Sequence, residues 1–74
     1  MAKLSSRERQ ELDGLPLKIE QLETKIAAIQ LQLADPDFYS READEVKAAQ
    51  LDLRAHEIDA ATAYARWEAL EARR

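Results

Sequence analysis

The stretch on which the fold turns is Ala34-Asp35-Pro36-Asp37-Phe38-Tyr39-Ser40-Arg41-Glu42. The chain has two Pro, one Phe and two Tyr, and one of each falls in this segment. Pro36 is tolerated only in the first turn of a helix, and its ring pushes Asp35 out of the α region. A helix arriving from the N-terminal side must therefore end near Ala34. The segment predicts a tight turn over 35–43, with Asp35 as a cap residue. Phe38 and Tyr39 are expected to fold over the last packed layer, Leu33 and Val46. Ser40 or Asp44 is expected to cap the next helix, and Glu42, Asp44 and Glu45 suit its positive N-terminal end.

On either side of this turn the apolar residues keep a heptad rhythm. Leu12, Leu15, Ile19, Leu22, Ile26, Ile29 and Leu33 step alternately by 3 and 4. Val46, Ala49, Leu53, His56, Ala60, Ala63, Trp67 and Leu70 do the same, with Ala at three positions and His at one. A 3.5-residue period is the seam of a helix packed along another helix, with a left-handed supercoil. The fold class predicted is all-α, an antiparallel two-helix coiled-coil hairpin. The helices are placed at 5–34 and 44–73, and their equal lengths favour end-to-end pairing. Ser5 with Glu8 fits a capping box at the start of the first helix. Pro16 lacks an N–H and crowds the carbonyl four residues back, so a kink or short break is expected at Gly14–Pro16.

Composition narrows the function. The 74 residues carry 11 Lys and Arg against 15 Asp and Glu, a net charge of −4, with one Gly and no Cys. Such a chain makes one small domain, here residues 1–74, and its composition is that of long helices. Thiolate metal sites are excluded, and a lone His56 argues against a zinc site. His56 falls at a d position, where a half-exposed seam residue is the simpler reading than a pH switch. No apolar run reaches membrane-spanning length and no signal-peptide core is present, so the expected setting is the cytoplasm. No Gly-rich phosphate loop occurs, and scattered carboxylates on a hairpin lack a pocket for acid–base work. The chain itself is read as non-enzymatic and without a cofactor.

The charges are unevenly spread. A hairpin brings residues 1–13 and 64–74 together at its open end. That end holds Lys3, Arg7, Arg9, Arg66, Arg73 and Arg74 against five acids, while the remainder holds five cations against ten acids. Tyr64, beside Arg66, is a candidate stacking residue for nucleic acid; Trp67 is read as core. A mixed charged surface is the plain alternative. Leu17, Leu31, Leu51 and Ile58 all fall at f positions, facing away from the seam, and four in one register could form a docking or self-association surface.

Lys3-Leu4-Ser5, Glu11-Leu12, Leu15-Pro16, Ala34-Asp35-Pro36 with Phe38-Tyr39, and Tyr64 to Glu68 together resemble the C-terminal coiled-coil domain of Uup-type ABC-F ATPases. A tRNA synthetase C-terminal hairpin shows a similar turn. The resemblance covers nearly the whole chain. It implies that the chain is the tail of a longer protein with two ATP-binding cassettes, which would use ATP and Mg, and that this tail is a DNA-binding coiled coil. The family often has an aromatic at the position of Ser6, and Leu at those of Ala49, His56 and Ala60.

Two readings follow. In the first, the hairpin binds DNA or another nucleic acid through Lys3, Arg7, Arg9, Tyr64, Arg66, Arg73 and Arg74. Contacts to phosphates rather than base edges are expected, roughly four to six of them. In the second, it is a spacer or docking coiled coil for a protein partner or the ribosome, with homodimerisation through the f-position residues.

Overall fold

The computed structural model describes residues 3–74. Helix α1 runs Ser6–Ala34 and helix α2 runs Ala43–Glu71, joined through a 3-10 helix, Pro36–Ser40. The two α-helices are 29 residues each and antiparallel, in a rod of 54 × 16 × 15 Å. Each position of both heptad seams is buried or half-buried, so the period read from the sequence is the packing period of the molecule. Cross-helix bonds fix the register: Tyr64 meets Glu23, Arg66 meets Glu11 and Arg73 meets Glu8.

The start of α1 is a complete capping box. Glu8 N–H donates to Ser5 Oγ at 3.1 Å, and Ser5 N–H donates to Glu8 Oε1 at 3.0 Å. Of the kink or short break expected at Gly14–Pro16, the break does not occur: α1 continues through Pro16. The missing N–H of Pro16 orphans only the Leu12 carbonyl. Leu12, Leu15 and Ile19 are all buried on the seam, and burial on both sides of the proline holds the helix together. Tertiary packing routinely overrides a local propensity of this size.

The turn differs from expectation in two respects. Phe38 is 5% exposed, but Tyr39 is 52% exposed and does not cover the seam. In a 3-10 helix of five residues, neighbouring side chains point about 120° apart, so only one of the two rings can face the core. Tyr39 instead meets Phe38 edge-on at 6.0 Å, and the Arg41 guanidinium lies 5.7 Å from the centre of the Phe38 ring. Ser40, one of the two residues expected to cap α2, serves the 3-10 helix instead, as does Asp35. Asp37 N–H donates to Asp35 Oδ1 at 3.0 Å, and Ser40 Oγ donates to the Asp37 carbonyl at 2.6 Å. The N-cap of α2 is Glu42, which makes no side-chain cap bond; Asp44 and Glu45 lie in its first turn.

Burial is graded along the rod. The continuous core comprises Leu4, Leu12, Leu15, Ile19, Leu22, Ala60, Ala63 and Leu70, with Ile26 and Trp67 packed against it. Towards the turn, Ile29, Leu33, Val46, Ala49, Leu53 and His56 are only half-buried. Phe38 closes the far end.

Candidate nucleic-acid interface

The antiparallel register brings the first turns of α1 against the last turns of α2. There, Arg66 grips Glu11 with two bonds, Nε to Oε2 at 2.6 Å and Nη2 to Oε1 at 2.8 Å. Arg73 grips Glu8 in the same manner, and its Nη2 also reaches the Lys3 carbonyl at 3.4 Å. Arg66 lies a further 3.9 Å from Glu8. Arg74, beyond the end of α2, pairs with Glu71 three residues back. Planar guanidinium groups hold carboxylates bidentately in this way, and the charge-assisted bonds are stronger than neutral ones. Their effect appears in the acids. The Arg73 hydrogen bond, followed by the Ser5 backbone bond, lowers Glu8 from 4.5 to about 2. Arg66 holds Glu11 below the ordinary carboxylate range, and Glu11 in turn raises Arg66.

These pairings sort the seven candidate residues. Lys3, Arg7 and Arg9 are exposed and form no ion pair among the described residues, whereas Arg66, Arg73 and Arg74 are each engaged by an acid. Tyr64 stands apart from the cationic end. Its hydroxyl donates to Glu23 Oε1 at 2.9 Å, which raises the phenol's pKa, and its ring lines a small apolar groove with Pro16, Ile19 and Trp67. A carboxylate beside that ring repels a phosphate. The first two positions of the open end, Met1 and Ala2, lie outside the described residues.

At the tip itself, a cleft of about 430 Å³ is lined by Lys3, Arg9, Arg73 and Arg74 together with Asp13 and the buried Leu4 and Leu12. Among the described residues, no cluster of acids and histidines suited to a metal ion is present.

In the sequence Glu8 reads as a capping residue, and the cross-helix pairing of Glu8 and Glu11 was not read there, although for Glu11 a signal existed. Glu11 and Arg66 both occupy g positions, and Glu23 and Tyr64 both occupy e positions, the flanking sites that face each other across a coiled coil. Counting charges by region conceals such pairs.

A family model described as the ABC transporter C-terminal domain matches residues 3–72. The chain belongs to this family. Over 69 residues it is 44% identical to two Haemophilus influenzae proteins, the ATP-binding protein Uup and a Uup-like ATP-binding protein, with 93% of this chain covered. The ATP-binding protein Uup of Escherichia coli K12 is 39% identical over 71 residues, covering 96% of this chain. The chain spans only 11 to 15% of the length of these relatives. A solved structure, described as the C-terminal domain of the Uup protein and a DNA-binding coiled coil motif, superposes with a TM-score of 0.88 at 39% identity. It covers 96% of this chain and 84% of that one. The resemblance read from the capping and turn motifs, and the coiled-coil hairpin, are thus borne out.

Proposed function

We propose that this chain is a non-catalytic DNA-binding module at the end of a longer protein with ATP-binding cassettes, and that it acts in the cytoplasm. ATP and Mg belong to the cassettes in this reading, not to the hairpin. The observation that carries it is the convergence of Lys3, Arg7 and Arg9, outside any ion pair among the described residues, at the one end of the rod that is not acidic. The 39%-identical hairpin described as DNA-binding supports the same ligand. Lys3, Arg7 and Arg9 are the primary phosphate contacts. Arg73 and Arg74 are secondary, since each must loosen an acid to reach a phosphate. Tyr64 contributes least, because Glu23 shields its hydroxyl.

Anisotropy of a labelled duplex, titrated at several salt concentrations, tests the reading. Three phosphate contacts give a log–log salt slope of roughly −3, growing towards about −5 if Arg73 and Arg74 join. Replacing Lys3, Arg7 and Arg9 together by Glu abolishes binding with helicity retained. An undiminished affinity in that variant overturns the reading.

The docking alternative has less to support it. Leu17, Leu31, Leu51 and Ile58 are 53 to 76% exposed. Residues at f face away from the partner helix, so those of α1 and α2 lie on opposite sides of the rod. No single face gathers all of them for a protein, the ribosome or a second copy.

A further inference from the structure

The open-end cleft has a shape that a continuous duplex does not use. Its lining holds four cations, Lys3, Arg9, Arg73 and Arg74, against one acid, Asp13, with the buried apolar Leu4 and Leu12 among them. The backbone of a duplex presents a ridge of phosphates whose bases are stacked away inside. Such a ridge engages the rim and leaves the interior empty. A nucleotide outside a duplex presents a phosphate together with a free base face, and guanidinium planes stack on exposed bases. The volume of about 430 Å³ is within the range of small-ligand pockets. The position matters as well, because the cleft is at the tip of a rod only 15 to 16 Å wide, where a strand can enter end-on.

We propose that this cleft holds one unpaired nucleotide of a DNA strand, its phosphate against Lys3 and Arg9 and its base against the Arg73 and Arg74 planes, so that the hairpin prefers DNA with a single-stranded terminus to uninterrupted duplex. This rests on the DNA-binding reading above and adds a preference to it.

The test compares the 74-residue chain on a short blunt duplex and on the same duplex with a single-stranded overhang. The overhang is expected to bind tighter by about tenfold, the scale of one stacked base. Lys3→Glu with Arg9→Glu equalises the two ligands, whereas Arg7→Glu, outside the cleft, weakens both and preserves their ratio. A deoxynucleoside monophosphate competes for the overhang complex better than inorganic phosphate does. Circular dichroism verifies that each variant keeps its helices. Equal, salt-sensitive binding of both duplexes by the unaltered chain overturns the preference and leaves DNA binding standing. Equal competition by inorganic phosphate reduces the cleft to an anion site and also overturns it. Binding of neither duplex overturns the DNA reading together with the preference.

Discussion

Glu8 joins three parts of the molecule through a single carboxylate. It caps α1 through Ser5, holds Arg73 just beyond α2 bidentately, and lies 3.9 Å from Arg66 of α2. Its pKa, lowered from 4.5 to about 2, makes the fold acid-sensitive in a defined window. A carboxylate with a depressed folded-state pKa binds fewer protons folded than unfolded, so its contribution is complete above the unfolded value and is lost as pH falls towards the folded one. The melting temperature is therefore expected to fall between pH 4.5 and about 2, with Glu11 adding in the same direction. In Glu8→Gln this acid limb becomes shallower, and the variant starts from a lower melting temperature at neutral pH. Thermal melts followed by circular dichroism across that range check both statements. A limb as steep in Glu8→Gln as in the unaltered chain would assign the acid sensitivity elsewhere. Tyr64 works in the opposite sense: its raised pKa means that the bond to Glu23 stabilises below the ordinary tyrosine value and is lost as pH rises through the folded one.

At the scale of elements, α1 carries a removable weakness. Gly14 is exposed, sits within the helix, and a Cβ added there meets nothing within 4 Å. Gly14→Ala is expected to stabilise by about 0.5–1 kcal/mol, raising the melting temperature by several degrees. The turn is less tolerant. Phe38→Ala removes the buried ring that closes the hairpin and is expected to cost on the order of 3 kcal/mol, whereas Tyr39→Ala changes stability by about 0.5 kcal/mol or less. Urea unfolding of the pair checks the asymmetry, and equal losses would contradict the placement of the two rings. Both seams, the capping box and the stop at Ala34 were legible in the sequence because each is set by local chemistry or by a repeated period. The choice between a kink and a break at Pro16 was not legible, since it depends on how well Leu12, Leu15 and Ile19 are packed against residues of the other helix. The division of labour between Phe38 and Tyr39 was hidden for a similar reason: neighbouring residues in a 3-10 helix cannot share a face, and nothing in the sequence announces that helix type.

For the whole molecule, counting charges locates the end of the rod that is not acidic but does not tell which of its cations are paired. Arg66 and Arg73 read as free phosphate ligands when charges are counted, yet in the folded chain they tie α2 to α1. Reversing them to Glu is therefore expected to loosen the hairpin itself, through like charges facing Glu11 and Glu8. Arg66→Glu lowers the melting temperature, and the charge-swapped pair Glu11→Arg with Arg66→Glu recovers most of the loss. The double-mutant cycle measures this coupling directly. Near-additive losses would leave the pair without a structural role. Such paired cations also explain why a salt slope nearer −3 than −5 is expected for duplex binding.

The graded burial along the rod reverses the usual behaviour of a hairpin. Free ends normally fray while the loop end holds. Here the free ends meet the continuous core and the arginine clamps, whereas the stretch before the turn is half-exposed. Amide exchange should be slowest around Leu12–Leu22 and Ala60–Leu70 and fastest between Ile29 and Leu53. Pulled apart at its two termini, such a molecule meets its strongest resistance first. It should part in one abrupt rupture at a single force rather than unzip step by step.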